Sequence, residues 1–422
     1  MSQPSPTTIS VQTHRVSRRA LLGLLGPAFV AAIAYVDPGN VAANLTAGAK
    51  YGYLLVWVLV AANVMAMLIQ YQSAKLGIVT GKSLPELLGE RLPQTARRAY
   101  WLQAELVAAA TDIAEVVGGA LALWLLFGIP LPLGACIVGV ISMILLLAQG
   151  NNRQRSFELI IVFLLAIVTV GFLTGLVFSP PDAGGVVAGL IPRFAGPDTV
   201  LLAASMLGAT VMPHAIYVHS ALSRDRHRPS PHVHVPPVAV ARLLTATRVD
   251  VLAALALAGV VNIGMLLLAA STLGGQDGTD SIPGAHAAIV ASLGPVVGVI
   301  FAVGLLVSGL ASTSVGCYAG ATIMAGLLKI RIPLLARRVA TLLPAIVLLA
   351  LGVDPTWALV LSQVVLSFGI PFVLIPLIRL TGNAEIMGKF VDRWPLRIAA
   401  MTSAALVVGL NGVLLWLTVV GS

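Results

Sequence analysis

Charge is what this chain has least of. Only 10% of its 422 residues are Asp, Glu, Lys or Arg, while 58% are hydrophobic. A soluble globular domain carries about 25% charged residues, so the composition excludes an ordinary soluble fold and points to an all-α polytopic membrane protein. A transmembrane β-barrel would show short alternating segments, and here the apolar runs are long and continuous. Cysteine is scarce too: Cys136 and Cys317 both lie in apolar runs and read as small buried hydrophobes, not as a disulfide or a metal pair. No G-x-x-x-x-G-K-[ST] occurs, which removes a P-loop nucleotide site. Neither an H-E-x-x-H nor a nucleophile with an evident base supports an intramembrane enzyme. No resident cofactor is expected. Met1–His14 is polar and has no apolar core, so no cleavable signal peptide is expected, and residues 1–19 read as a disordered cytoplasmic tail.

What is present is a series of apolar runs bounded by Gly, Pro and charge. Eleven are expected as membrane spans, at about 20–48, 52–78, 99–127, 130–149, 156–178, 198–222, 241–273, 285–328, 338–352, 355–380 and 395–420. The eighth is longer than one span and its start is ambiguous. The loops between them alternate in charge: of the 25 basic residues, only Lys50 and Arg193 fall on the acidic side. The positive-inside rule then puts the N-terminus in the cytoplasm and, with eleven spans, the C-terminus outside a plasma (inner) membrane. The formal charge of +9 is therefore a topology signal, and no nucleic-acid partner is expected. In the loop between spans 6 and 7, His227, His232 and His234 could form a regulatory metal site. Arg and Pro are poor company for a closed site, and a flexible cytosolic loop is the simpler reading.

The first run contains a contradiction, Ala34-Tyr35-Val36-Asp37-Pro38-Gly39-Asn40. Proline and glycine should break the helix here. Broken backbone at membrane depth is tolerated only in a cavity or inside protein, and an ionisable residue there marks function. The break offers free carbonyls, a carboxylate and an amide oxygen together, a set that suits a cation. Span 6 is interrupted in the same way, at Ala209-Thr210-Val211-Met212-Pro213-His214. Spans 1 and 6 each open a five-span block, so the organisation expected is an inverted repeat of 20–178 and 198–380, with 395–422 as an additional span. Paired interrupted helices in such a repeat point to a transporter site. A methionine in an apolar helix is usually core filler. Facing Asp37 and Asn40, however, the Met212 thioether would make a mixed oxygen and sulfur site, whose sulfur Mn2+, Fe2+ and Cd2+ can use and from which Mg2+ and Ca2+ gain little.

Span 3 carries Glu105, Asp112 and Glu115 at spacings that put all three on one helix face, a candidate proton or ion route, with pairing to arginines as the structural alternative. His214 and His219 could shuttle protons or merely bond between helices. Asn262 and Gln363 are polar in apolar company, as ligand or as helix glue.

The Asp37-Pro38-Gly39-Asn40 motif in a first span, with Met212-Pro213-His214 in a sixth, resembles the Nramp family (natural resistance-associated macrophage proteins) along nearly the whole chain. That resemblance implies a LeuT-type fold with broken helices 1 and 6 and import of divalent metal ions together with protons. It implies that Asp37, Asn40, Met212 and the carbonyls of Ala34 and Ala209 bind the metal, joined by Gln363 and Asn262 in an occluded state. It implies that Asp37, Asp112, Glu115 and Glu105 carry protons, with Arg337 or Arg338 as partners and His214 and His219 as the family's span-6 histidines. The partners expected are metal ions, protons and the lipid bilayer, with no need of an oligomer. The alternative on the same fold is a cation-coupled amino-acid carrier, which Asp37 argues against because an acid there repels a carboxylate.

Overall fold

A computed structural model of the chain describes residues 26–148, 154–227, 236–274, 278–330 and 333–420. The expected tail at 1–19, and His232 and His234, lie outside the described residues. Among the described residues the regular structure is helical throughout, without a strand. The helices are α1 (Pro27–Ala34), α2 (Pro38–Tyr51), α3 (Val56–Thr80), α4 (Leu84–Arg91), α5 (Gln94–Phe127) and α6 (Leu131–Ala148). Next come α7 (Gln154–Phe178), α8 (Ala183–Ala188), α9 (Pro197–Thr210), α10 (Pro213–His227), α11 (Pro237–Thr272) and α12 (Ile282–Leu293). The last are α13 (Pro295–Leu328), α14 (Leu334–Ala350), α15 (Pro355–Thr381), α16 (Ala384–Met387), a 3-10 turn at Gly388–Phe390, and α17 (Trp394–Val420).

In their described parts, the eleven apolar runs fall mainly on helix. Seven described stretches are long and apolar enough to cross a membrane, and shorter apolar stretches occur at Leu131–Ile144, Val162–Phe178 and Ile282–Leu293. The ambiguous eighth run resolves into two helices, α12 and α13, separated at Gly294, whose φ of 93° and following Pro295 end one helix and start the next. The interrupted helices sit at the centre. In the most apolar window of α9–α10, 94% of residues are buried, against 28% for α17, which is therefore peripheral. The expectation that both cysteines are buried fails for Cys136, which is exposed on α6. In an apolar solvent a hydrophobic residue gains nothing by facing inward, so the apolar run does not distinguish core from lipid.

Helix α4 was not expected. It starts at a capping box: Glu86 Oε2 accepts the Ser83 N–H at 2.7 Å and pairs with Arg224 at the end of α10, while the Leu84 N–H donates to Ser220 Oγ at 2.9 Å. Burial alone would raise the Glu86 carboxyl, but the Ser83 amide and the Arg224 guanidinium outweigh it and hold it below the usual carboxylate range. These bonds fasten α4 to α10, the second half of the broken sixth span.

Candidate metal site

The geometry of both breaks follows from proline. In a continuous helix the carbonyl of residue i is bonded by the N–H of residue i+4. For Ala34 that residue is Pro38, and for Ala209 it is Pro213; neither has an N–H. Each proline thus frees one carbonyl upstream while sitting at the first position of a new helix, where the missing donor costs nothing. Asp37 caps α2, its Oδ1 accepting the Asn40 N–H at 2.8 Å. The two residues left outside helix in the second break are Val211 and Met212. Three neighbouring carbonyls are engaged: Asn262 Nδ2 donates to Tyr35 at 2.7 Å, the Ser308 hydroxyl donates to Val36, and Asn40 Nδ2 donates to Ala209 at 2.9 Å.

These bonds bring Asp37, Asn40, Ala209 and Gln363 together. Asp37 Oδ1 also accepts Asn40 Nδ2 at 2.8 Å, and Oδ2 accepts Gln363 Nε2 at 3.2 Å. Ala34, Asp37, Asn40, Ala209, Met212 and Gln363 are all buried. Glycine lets α15 approach: a Cβ on Gly39 would lie 1.7 Å from Gln363 Nε2, and one on Gly208 would lie 1.9 Å from the Gln363 carbonyl oxygen. The amide oxygens Asn40 Oδ1 and Gln363 Oε1 are buried without a hydrogen-bond partner. Buried polar atoms are nearly always satisfied, so this pair asks for a ligand that accepts lone pairs. Among the described residues no group of three or more His, Cys, Asp or Glu is placed to hold a metal. The groups brought together here are instead one carboxylate and neutral amide and carbonyl oxygens, with Met212 buried in the second break. Asn262 stands apart: it bonds the Tyr35 carbonyl with its NH2 and accepts Asn44 Nδ2 at 3.2 Å with its oxygen, so it braces the first break.

The span-3 acids form a graded series on α5. Glu105, whose side chain is 23% exposed, pairs with Arg337 at 2.8 Å; Asp112 is buried and pairs with the buried Arg338 at 3.2 Å. Arg338 also donates to Ser142 Oγ at 2.8 Å. Room for the Arg337 guanidinium comes from Gly320, where a Cβ would lie 2.0 Å from it. Glu115 is different. It is wholly buried and neither of its oxygens has a hydrogen-bond partner. One turn further along α5, a Cβ on Gly118 would lie 2.0 Å from the Pro38 ring, so the deep end of the series abuts the first break.

On α10, His219 Nδ1 bonds Gln70 Oε1 at 2.7 Å, and Gln70 Nε2 donates to the Tyr35 hydroxyl. His214 Nδ1 lies 3.3 Å from Thr111 Oγ1. The Nε2 atoms of both histidines are buried without a partner. Three contributions escaped the sequence reading. Gln70 links a histidine to the break. Asp250 of α11 accepts the N–H groups of Gly26 and Ala28 at 3.2 and 3.0 Å, anchoring the start of α1. Asp392 accepts from Lys75 Nζ at 2.6 Å and Gln72 Nε2 at 2.7 Å. Only an acid in an apolar span could have flagged Asp250; the others depend on partners on other elements, 35 and 149 residues away for Gln70 and more than 300 for Asp392.

At the acidic end of the bundle a cavity of ≈430 Å3 is lined by Thr46 of α2, Leu202 of α9 and Val360 of α15, with Asp198, Asp280 and Asp354 around it and Lys50 paired with Asp280 at 3.1 Å. Those three helices are the ones that supply Asn40, Ala209 and Gln363. Between cavity and cage, Ser205 Oγ donates to the Val360 carbonyl at 3.1 Å.

Comparison with known proteins places this architecture. Residues 28–417 match the family model described as Nramp, natural resistance-associated macrophage protein-like. The chain is 54% identical over 411 residues to a divalent metal cation transporter, MntH, of Mycobacterium tuberculosis, covering 97% of this chain and 95% of that protein. A crystal structure of the manganese transporter of Eremococcus coleocola superposes with a TM-score of 0.84 at 30% identity, covering 96% of this chain and 88% of the other. The inward-facing conformation of Mhp1 aligns at a TM-score of 0.55 and 15% identity over 93% and 91% of the two chains, a likeness of fold alone.

Proposed function

From the premise that the chain belongs to the Nramp family of multi-pass membrane transporters, we propose that it imports divalent transition-metal ions by alternating access, coupled to protons. Mn2+ is the expected principal substrate, with Fe2+ and Cd2+ as competitors. The observation that carries this reading is the Asp37 cage. One buried carboxylate is held by the NH2 groups of Asn40 and Gln363, whose amide oxygens are left unpartnered, at breaks where Pro38 and Pro213 withhold a helix bond from the Ala34 and Ala209 carbonyls and where Met212 is buried. A dication entering it gains one full negative charge and several oxygen dipoles. The sulfur adds little for Mg2+ or Ca2+ and more for the softer ions. An amino-acid substrate would meet that same carboxylate with its own, which disfavours it.

Protons have a second path in this reading. Glu115 adjoins the first break through Gly118 and Pro38, and the pairs Asp112–Arg338 and Glu105–Arg337 continue toward the basic end of α5. Metal charge arriving at Asp37 displaces a proton that the series passes on, while His214, which meets Thr111 of α5, and His219 offer unpartnered ring nitrogens on α10. By the positive-inside rule the basic end is cytoplasmic, the acidic cavity is the outer mouth, and the protein lies in the plasma membrane with eleven spans. The two blocks, 20–178 and 198–380, are proposed to move against each other about the breaks, as inverted repeats do.

The test is uptake into proteoliposomes across a panel of divalent ions, with internal pH recorded. Saturable Mn2+ entry with luminal acidification supports the reading. Mn2+ entry without acidification removes the proton coupling, and absence of Mn2+ entry removes the function.

A further inference from the structure

A second cavity, of ≈590 Å3, opens at the basic end, between α3, α11, the 3-10 turn and the start of α17. Four cationic side chains line it: Lys75, Arg248, Lys389 and Arg393. The positive-inside rule explains why basic residues occupy this end, but not why four from three distant segments converge on one hollow. Lys75 forms its floor and is neutralised by Asp392 at 2.6 Å. Asp392 is further occupied by Gln72. Among the described residues no ion pair engages Arg248, Lys389 or Arg393, and no acid lines the cavity. Arg248 stacks over the Tyr71 ring at 5.7 Å, which orients the guanidinium while leaving its charge uncompensated. The hollow is thus a preformed anion receptor with three free cations and a walled floor.

Exposed apolar residues flank its lining residues along the chain, and we take them as its rim. Trp394, Ile398 and Met401 of α17 and Val249 and Leu252 of α11 are all exposed. Tryptophan at the start of a membrane helix marks the headgroup level, and the aliphatic residues beyond it face hydrocarbon. A free phosphate would use the cations and leave this rim without a role. A phospholipid uses both.

We propose that this cavity binds the phosphate of an anionic phospholipid, whose acyl chains lie along α11 and α17. Basic pockets between helices on the cytoplasmic side are where such headgroups bind. The inference rests on the membrane orientation given above and is independent of the metal chemistry. The bound lipid would clamp the linker before α17 onto α3 and α11 through a site that touches none of the cage residues.

The experiment measures retention of phosphatidylglycerol on the purified full-length protein by native mass spectrometry, together with the lipid-dependent rise in melting temperature. Phosphatidylcholine, inorganic phosphate and glycerol 3-phosphate serve as comparison probes. Each single variant, Arg248→Gln, Lys389→Gln or Arg393→Gln, should bind phosphatidylglycerol about fivefold more weakly, from the worth of one basic residue at a membrane surface, and the triple variant about a hundredfold more weakly. The charge-preserving Arg393→Lys and the opposite-face Arg193→Gln should bind as the native protein does. The single variants keep the test open if the triple variant fails to fold. Equal retention of phosphatidylglycerol in native and single-variant proteins overturns the proposal. So does equal retention of phosphatidylcholine. If inorganic phosphate or glycerol 3-phosphate raises the melting temperature as much as the lipid, the site is a soluble-phosphate site and the lipid assignment is wrong. Because binding is read without transport, failure here and failure of the metal reading are separable.

Discussion

Asp37 is the only carboxylate in its cage, so its removal should be decisive for transport and mild for folding. Asp37→Ala deletes a helix cap, which costs about 1 kcal/mol, but also removes an uncompensated buried charge. We expect a folded protein with no measurable Mn2+ uptake, whereas Asn40→Ala, losing a neutral ligand, should retain a fraction of it. Uptake near the native rate in Asp37→Ala would remove the central claim. Met212→Ala separates ligand from filler. If sulfur is a ligand, Mn2+ transport survives while Cd2+ binding falls further and Ca2+ and Mg2+ compete better. If Met212 only fills the core, truncation costs about 2–5 kcal/mol and weakens every metal alike. Competition of Ca2+ and Mg2+ against Mn2+ in native and variant vesicles decides. At this scale the sequence was legible where chemistry contradicted its surroundings: an acid, a proline and an amide inside an apolar run have no bland explanation. Gln70 was not legible, because a lone glutamine in a long helix gives no sign that it links His219 to Tyr35.

Between residue and element stands the role of proline. Pro213→Ala restores an N–H four residues after Ala209, able to bond that carbonyl and fuse α9 to α10. The variant should keep or raise its melting temperature, since a continuous helix gains a bond, yet lose metal affinity because a ligand is withdrawn. Native affinity in Pro213→Ala would show that the freed carbonyl does not matter. The α5 series makes a second element-scale distinction. Glu115→Gln touches no ion pair, so stability should hold while metal-driven acidification falls. Asp112→Asn leaves Arg338 buried without a countercharge and should cost about 3–5 kcal/mol as well as coupling. Unchanged acidification in both variants, measured beside their melting temperatures, would leave the series with a structural role only. The spacing of Glu105, Asp112 and Glu115 was readable from helical periodicity alone. Which arginine each acid meets was not, because α14 follows more than 200 residues later and only the packed fold brings it to α5. Helix α4 carries a Ser83-to-Glu86 capping box in a stretch too short and too charged to stand out among the apolar runs.

For the whole molecule, the charge of the loops and the shape of the cavities speak to the same question from separate evidence: which face meets the cytoplasm. The fold class was legible from composition and run lengths, since a chain so poor in charge has few ways to satisfy its backbone except as helices in lipid. The inward or outward aspect of each helix was not. Lipid and protein core are equally apolar, which is why Cys136 lies exposed where burial was expected. Orientation, by contrast, depends on charge, and 23 of the 25 basic residues falling in one alternating set of the expected loops is a strong asymmetry. The ≈430 Å3 cavity at the other end agrees with it: its three aspartates outweigh Lys50, which pairs with Asp280, and a dication approaching from outside is drawn toward the net negative charge. Single cysteines test this directly in a Cys136→Ser, Cys317→Ser background. Arg193→Cys, on the acidic side and exposed, should react with a membrane-impermeant maleimide on intact cells. Arg97→Cys, at the start of α5 on the basic side, should react only after permeabilisation. Asp198→Cys, lining the acidic cavity, should react from outside and slow when Mn2+ is present, as the ion holds the entry path in a different arrangement. Labelling of Arg97→Cys on intact cells, with Arg193→Cys protected, would invert the topology. The acidic cavity would then be an exit, and the proposed direction of transport would fall with it.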